Sequence, residues 1–296
     1  MAQLQNELAE RELLKKFRHE NSWMGELKAK NEWVNNDVIK IPRQGTAPLV
    51  LINNNIYPIA SNRRDDDFIA VSLNKYETEN TIVTDDELYA LPYEKTSDVQ
   101  MQHRETLEDK TAQHGLFSIS APSDTNKTPI IECTGDPDPV TGRRRMTTPD
   151  LIKFWELQGP LSQLLGRNLT LSYEHAADLM LEDATRQRAW GGEWMQGTKP
   201  QFHVGFNLWV SPNVPKYEKV NGVWTKKAFE SVDGRTASVF FHKSSACKAT
   251  GSIKRYALPA ELNPTMRENT IGFRLYAICV GLQDEGFGAI VSPVVE

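Results

Sequence analysis

The most apolar stretch of the chain runs from Thr270 to Leu282, Thr-Ile-Gly-Phe-Arg-Leu-Tyr-Ala-Ile-Cys-Val-Gly-Leu. Its β-branched and aromatic side chains suit a strand with at least one buried face. A turn over 283–286 leads to Ala289-Ile290-Val291, so the end of the chain reads as a closing hairpin. A similar short run, Pro129 to Cys133, is the partner expected for it. Pairing across so long a gap makes the residues between an insertion. The stretch 140–260 has the texture for one. It offers a helix over Asp150–Leu157, capped by Thr148 with Pro149 at its first position. Strands follow at Leu169–Leu171, His203–Val210 and Ser238–His242, with a helix over His175–Leu181.

The first hundred residues are of a different kind. Residues 1–20 read as an amphipathic helix whose thin stripe (Leu4, Leu8, Leu14, Phe17) needs a partner surface. Residues 21–48 read as irregular or extended, with Trp23, Trp33, Val34, Val38 and Ile39 as scattered anchors between Pro42, Gly45 and Pro48. Leu49–Ile52 and Ile56–Ile59 read as strands joined by Asn53-Asn54-Asn55, and Pro58 marks an edge. Asp67–Lys75 reads as a longer strand with Ile69, Val71 and Leu73 on one face, and Thr81–Thr84 as another. These apolar residues are too few for a core of their own. Acidic residues outnumber basic ones over 63–94, most densely at Asp65-Asp66-Asp67 and Asp85-Asp86-Glu87. Residues 96–114 read as one long helix with Gly115 just past its end. Its only apolar residues are Val99, Met101, Leu107 and Ala112, so it is expected to lie across a surface.

Composition narrows the function classes. At 296 residues the chain can bury a sizeable core, yet only 39% of it is hydrophobic, which fits a partly extended molecule. The net charge of −5, with both signs mixed along the chain, argues against grip on nucleic acid as the main activity. Cys133, Cys247 and Cys279 are odd in number and lack CxxC spacing, so they read as small buried residues and not as disulfides or zinc ligands. No apolar run reaches the roughly 20 residues of a membrane span, and the charged N-terminus does not read as a secretory signal or as a trimmed end.

No phosphate-binding, zinc-protease, nucleophile-elbow or dinucleotide motif is present. Glu174-His175 is compatible with an acid/base pair, though a polar helix start explains it better. Asp136 and Asp138, or Asp65 to Asp67, are compatible with a cation, but solvated turns use aspartate for local backbone bonding more often. Arg143-Arg144-Arg145 is the sharpest basic run; contact with DNA, contact with a neighbouring subunit and plain surface all remain open for it. Trp190, Trp194, Phe202, Phe206 and Trp209 suit packing better than a sugar or base platform. No cofactor or metal ligand set emerges.

The order of parts, and the stretches Gln44–Asn53, Tyr57-Pro58-Ile59, Val71–Thr78, Thr84–Lys95 and Asn263–Arg267, resemble the major capsid proteins of tailed bacteriophages, within them a subgroup from phages of Bacteroidetes. The resemblance implies an α+β Hong Kong 97-type capsid fold. Residues 1–48 would be an N-terminal arm and 49–94 an extended E-loop hairpin. A spine helix would open 95–139, an axial domain would fill 140–261, and 262–296 would close the peripheral domain. It implies a structural protein, not an enzyme, that assembles with itself into pentamers and hexamers around double-stranded DNA. Scaffolding and portal proteins, and decoration proteins in some relatives, would be its partners, with weak non-specific contact to packaged DNA. Its place would be the virion capsid, after assembly in the host cytoplasm. Asp65, Asp66, Asp67, Lys75, Asp85, Asp86, Arg143, Arg144 and Arg145 are the candidate contacts between subunits. Some relatives cross-link a lysine to an asparagine, which would put Lys75 with Asn263 or Asn269; non-covalent clasping is the default. A cellular nanocompartment shell of the encapsulin type, and less so a hydrolytic enzyme, are the alternatives.

Overall fold

A computed structural model describes residues 22–35, 38–43, 67–84, 95–159, 165–185, 201–263 and 265–294. The expected helix over 1–20 and the strands at 49–52 and 56–59 lie outside them. A 3-10 turn at Trp23–Glu26 leads into β1 (Lys28–Ala29), β2 (Val34–Asn35) and β3 (Val38–Arg43). Then come β4 (Asp67–Ser72), β5 (Asn74–Glu77), β6 (Thr81–Thr84) and helix α1 (Lys95–Ile119). β7 (Ile130–Glu132) precedes α2 (Thr148–Leu157), β8 (Arg167–Leu171) and α3 (Tyr173–Thr185). β9 (Gln201–His203), β10 (Phe206–Val210), β11 (Lys216–Val220), β12 (Val223–Lys226) and β13 (Arg235–His242) follow. The last strands are β14 (Ala246–Leu258), β15 (Glu268–Gly281) and β16 (Phe287–Val291).

The strands form three sheets. β14 and β15 make a long antiparallel ladder, extended by β1 on the outer edge of β14 and by β5 and β6 on the far edge of β15. A second sheet runs β12-β11-β13-β8-β10-β9, with β16 against β13 and β7 parallel to β16. β2, β3 and β4 form the third. The pairing of β16 with β7 meets the expectation for residues 129–133. The closing hairpin does not: β15 and β16 enter different sheets, turned apart at Gly286, whose φ is +88. Sheet membership also crosses the lines expected at 139 and 262, since β14 pairs with β15 and β16 with β13.

Strand alternation builds the second sheet's two cores. Phe240 and Ile290 point to one side, where Leu151 and Phe154 of α2 and Ala176 and Leu179 of α3 cover them. Phe241, Ala289 and Val291 point to the other, against Trp23, Met24 and Leu27 and the end of α1 at Leu116 and Ile119. β8 and β16 are therefore buried throughout. α2 starts one residue earlier than expected: Thr147 is the cap residue, and buried Asp150 accepts its backbone N–H at 2.9 Å. The strand expected over 203–210 folds into a hairpin instead, because Val204 and Gly205 both take positive φ (47 and 82) in a two-residue turn. Likewise Asp67–Lys75 breaks at Leu73. Ile69, Val71 and Leu73 do not share one environment, being 38% exposed, half-buried and buried.

α1 is longer than its sequence signals suggested. It passes through Gly115 to Ile119, so Gly115 is not its terminating residue. It buries a narrow stripe, Val99, His103, Leu107, Thr111, Gly115, Leu116 and Ile119, against β15 and the second core, and the rest is half-buried or exposed. The glycine serves a close approach: a Cβ there would stand 3.0 Å from Cys279 Sγ and 3.4 Å from the Trp23 ring. At the C-terminal end, Lys226 Nζ donates to the carbonyls of Phe117 (2.8 Å) and Ser120 (3.1 Å). Burial lowers this lysine's pKa to about 8, while the orphan carbonyls of the helix end receive the donors they need.

The fit of α1 on β15 gives a direct test. Gly115→Val should destabilise the unassembled chain by roughly 1–3 kcal/mol through overpacking, read as a lower thermal midpoint. Ser118→Val, on the exposed side of the same helix, should change stability by no more than about 0.5 kcal/mol.

Candidate functional site

The arginine run is built into the fold. Arg143 is bidentate to buried Asp178, Nη1 to Oδ2 at 2.6 Å and Nη2 to Oδ1 at 2.9 Å, with Glu174 at 3.8 Å. Asp178 also accepts the Met146 N–H at 3.0 Å. These bonds hold the guanidinium charged and raise its pKa further, the hydrogen bond to Asp178 being the main cause. Arg145 pairs with Asp138 at 3.0 Å. Asp138 also accepts the Thr141 hydroxyl, and hydrogen bonds from Thr141 and then Arg145 hold its carboxyl well below the usual range. The main chain of Arg144 donates to the Pro293 carbonyl and accepts from the Ser292 hydroxyl, both at 2.8 Å. The run thus stitches the loop after β7 to α3 and to the segment after β16. Asp138 acts as an arginine partner here, not as a cation ligand.

Lys75 lies on edge strand β5 and pairs with Glu77 at 2.8 Å, half exposed; hydrogen bonding to Glu77 raises its pKa. It lines a groove of about 780 Å³ between the β5–β6 turn and α1. The groove floor includes His103, Leu107 and a Tyr76 hydroxyl bonded to His114 Nδ1 at 2.7 Å. Asn269 is occupied within the chain, its side chain accepting the Ala260 N–H at 2.9 Å. Asp65, Asp66, Asp85 and Asp86 lie outside the described residues, and Asp67 is described as the first residue of β4 without its side chain.

His175 and Glu174 part company. His175 is fully buried, with Nδ1 2.6 Å from the Ser238 hydroxyl and Nε2 2.7 Å from that of Ser292. Cys133 Sγ lies 3.8 Å from Nε2. Burial drops the histidine's pKa to about 4 and pushes the thiol up to about 12, so the imidazole is neutral and the sulfur a thiol. Glu174 faces outward and accepts the Thr236 hydroxyl at 2.6 Å. The pair forms no shared pocket, and His175 joins strands β7, β13 and the segment after β16 from inside. Of the aromatic cluster, Phe206 and Trp209 belong to different cores, on opposite sides of β10; Trp190 and Trp194 lie outside the described residues. Among the described residues no group of three His, Cys, Asp or Glu is placed to hold a metal, and no helix is long and apolar enough to cross a membrane.

Exposed apolar side chains gather at the distal end of the β14–β15 ladder, a feature sequence reasoning missed. Leu258 is 43% exposed, Leu262 72%, Met266 65% and Ile82, on the neighbouring β6, 53%. Such a gathering at one end of the molecule suits contact with another protein surface. The signal available in the sequence was the apolar residues left over between the two strands.

No family model matches the chain, and no curated protein does. Solved structures do. The capsid of Ralstonia phage GP4 is similar with a TM-score of 0.63 at 10% identity, covering 94% of this chain and 88% of that one. The capsid of cyanophage P-SCSP1u gives 0.61 at 12% identity, covering 91% and 87%. The holo-SrpI encapsulin complex from Synechococcus elongatus gives 0.56 at 14% identity, covering 90% and 84%. At these identities the likeness is one of fold: the chain has the mixed helix–sheet fold of phage capsid shell proteins, which an encapsulin also has.

Two polar clusters give measurable predictions. Asp178→Asn leaves Arg143 half-paired in the interior and should cost about 3 kcal/mol of stability, whereas Asp138→Asn, at the surface, should cost far less. His175 takes up a proton near its ordinary 6.5 when unfolded but only near 4 when folded. Its contribution is complete above pH 6.5 and is lost as pH falls toward 4, up to roughly 3 kcal/mol. The thermal midpoint of His175→Gln should therefore fall less steeply than that of the parent over that window; equal slopes would refute the assignment.

Proposed function

We propose that the chain is the major capsid protein of a tailed phage, assembling into pentamers and hexamers that enclose double-stranded DNA. The observation that carries the reading is the match of fold along nearly the whole chain to phage capsids. The polar outer faces of α1 and the apolar end of the β14–β15 ladder agree with it. Surfaces of this kind gain from burial against copies, and heterologous contacts between copies close into rings. In this reading 1–48 is the arm, 49–94 the E-loop and α1 the spine. Residues 95–139 and 262–296 form the peripheral domain and 140–261 the axial one, each of the two larger sheets drawing strands from both. Scaffolding, portal and decoration proteins are its expected partners, and the assignment to phages of Bacteroidetes rests on the sequence stretches alone.

The encapsulin likeness supports a second reading, a cellular compartment shell of the same fold. Electron microscopy of the protein co-expressed with its neighbouring genes separates the two. Closed shells, tubes or capsomers support assembly, and shells filled through a portal support the phage. Shells loaded with an enzyme and free of DNA support the compartment. A monomer at high concentration in every condition defeats both.

A further inference from the structure

One buried charge in the second sheet has no opposite charge beside it. Leu169 and Leu171 of β8 point into the core beneath α2 and α3, and strand alternation puts Arg167, the first residue of β8, on that same side. Arg167 is only 9% exposed. Among the described residues it makes one hydrogen bond, Nε to the Gly205 carbonyl at 2.7 Å, and its Nη1 is buried with no acceptor. Burial lowers its pKa, and no carboxylate acts to raise it. A buried guanidinium is ordinarily paired, as Arg143 is with Asp178.

The neighbouring elements bring no acid to it. Directly opposite on β13 stands His242, whose ring is taken up by the Ser244 hydroxyl at 2.6 Å and the Leu165 carbonyl at 3.1 Å. Burial lowers that histidine's pKa, and the charges of Arg167 and Lys28 lower it further. On the other side β10 pairs Asn207 with Asn168, which leaves Phe206 beside Arg167. Lys243, whose N–H bonds to the Gly166 carbonyl, holds Glu26 at 3.1 Å. On α2, Glu156 is exposed and falls on the side opposite buried Phe154. No carbonyl of α2 accepts from the guanidinium.

Gly205, at the β9–β10 turn, keeps a recess open in front of this group. A Cβ there would stand 3.2 Å from Arg167 Nη2 and 3.2 Å from Trp155 Nε1. The indole N–H donates to nothing among the described residues, and Trp155 is 38% exposed, so the recess reaches solvent. One turn further along α2, Gln158 is buried with Nε2 unpartnered. Arg167 and Trp155 are donors only. We propose that this recess binds a phosphate group, with Arg167 Nη1 and Nη2 on two of its oxygens and Trp155 Nε1 on a third. The guanidinium fork alone would use up both oxygens of a carboxylate, whereas a tetrahedral oxyanion meets the indole as well. Free orthophosphate and the phosphate of a nucleotide or of DNA share this chemistry. The site does not depend on the shell reading above.

The test is the thermal midpoint of the full chain in orthophosphate against chloride at equal ionic strength. Saturating phosphate should raise the parent's midpoint by about 3 °C. Arg167→Gln keeps a donor for the Gly205 carbonyl and removes the charge. In chloride it should melt within about 2 °C of the parent, because the charge it removes is unpaired, and in phosphate it should lose most of the shift. Trp155→Phe, at an exposed position, should lose about half of the shift. Should Arg167→Gln fail to fold, Trp155→Phe decides, and a full shift in that variant overturns the proposal. No shift in the parent overturns it, and so do equal shifts in parent and variants, which mark a general salt effect. A mononucleotide and a short DNA duplex, added in turn, identify the source. An Arg167-dependent shift with the duplex assigns the site to nucleic acid, and one with orthophosphate alone assigns it to the free ion.

Discussion

The antiparallel ladder of β14 and β15 carries the architecture. It runs from Ala246 opposite Gly281 to Leu258 opposite Thr270, and α1 lies along one of its faces. Neither partner suffices without the other. A helix as polar as α1 gains little from its own amphipathic moment, and fixing it costs about 1–2 kcal/mol per residue in backbone entropy. It is ordered because the sheet offers a flat bed, and because Gly115 lets the backbone settle against Cys279. The sheet in turn is ordered because α1 keeps water from Phe273 and Leu275.

From this bed the chain turns at Gly286 into the second sheet, where β16 is buried throughout. β16 is a tie between distant parts of the sequence, parallel to β7 on one side and antiparallel to β13 on the other. The polar clusters lie where those parts meet. His175 bonds to Ser238 and Ser292, and Arg143 to Asp178, so each cluster spans segments far apart in the chain. Buried polar groups of this kind add little net stability, but they penalise any arrangement that leaves them unpaired. They favour one relative placement of α2, α3 and the central strands.

Much of the element list was legible because it rests on local signals. Residues 270–282 and 129–133 are apolar runs of strand length, and α1 has no breaker before Gly115. What was not legible was tertiary. Gly115 resembles a terminating glycine in every local respect; only the neighbours Cys279 and Trp23 explain why the helix continues. The closing strands look like a hairpin because a short turn joins them, yet each has a better partner elsewhere, β14 for one and β13 for the other. The arginine run was visible as charge, but Asp178, which engages Arg143, stands 35 positions away and has no local mark. Pairing of this type is set by the fold, and a pattern of residue types cannot supply it.

The bulge between Thr250 and Ile253 divides the long sheet into regions of different character. On the near side β1 and β3 complete the structure within the chain, and the residues are small and apolar: Cys247, Ala249, Ile278. On the far side the same face changes to Lys254, Tyr256 and Arg274, and the edge strands end in exposed Leu258 and Ile82. One inserted residue shifts which side chains face which way, as a change of strand register must. The ladder resumes beyond the bulge while the face changes from apolar core to polar, exposed side chains. A fold organised in this way packs small apolar residues under β3 at one end of the sheet and leaves polar and half-exposed side chains at the other.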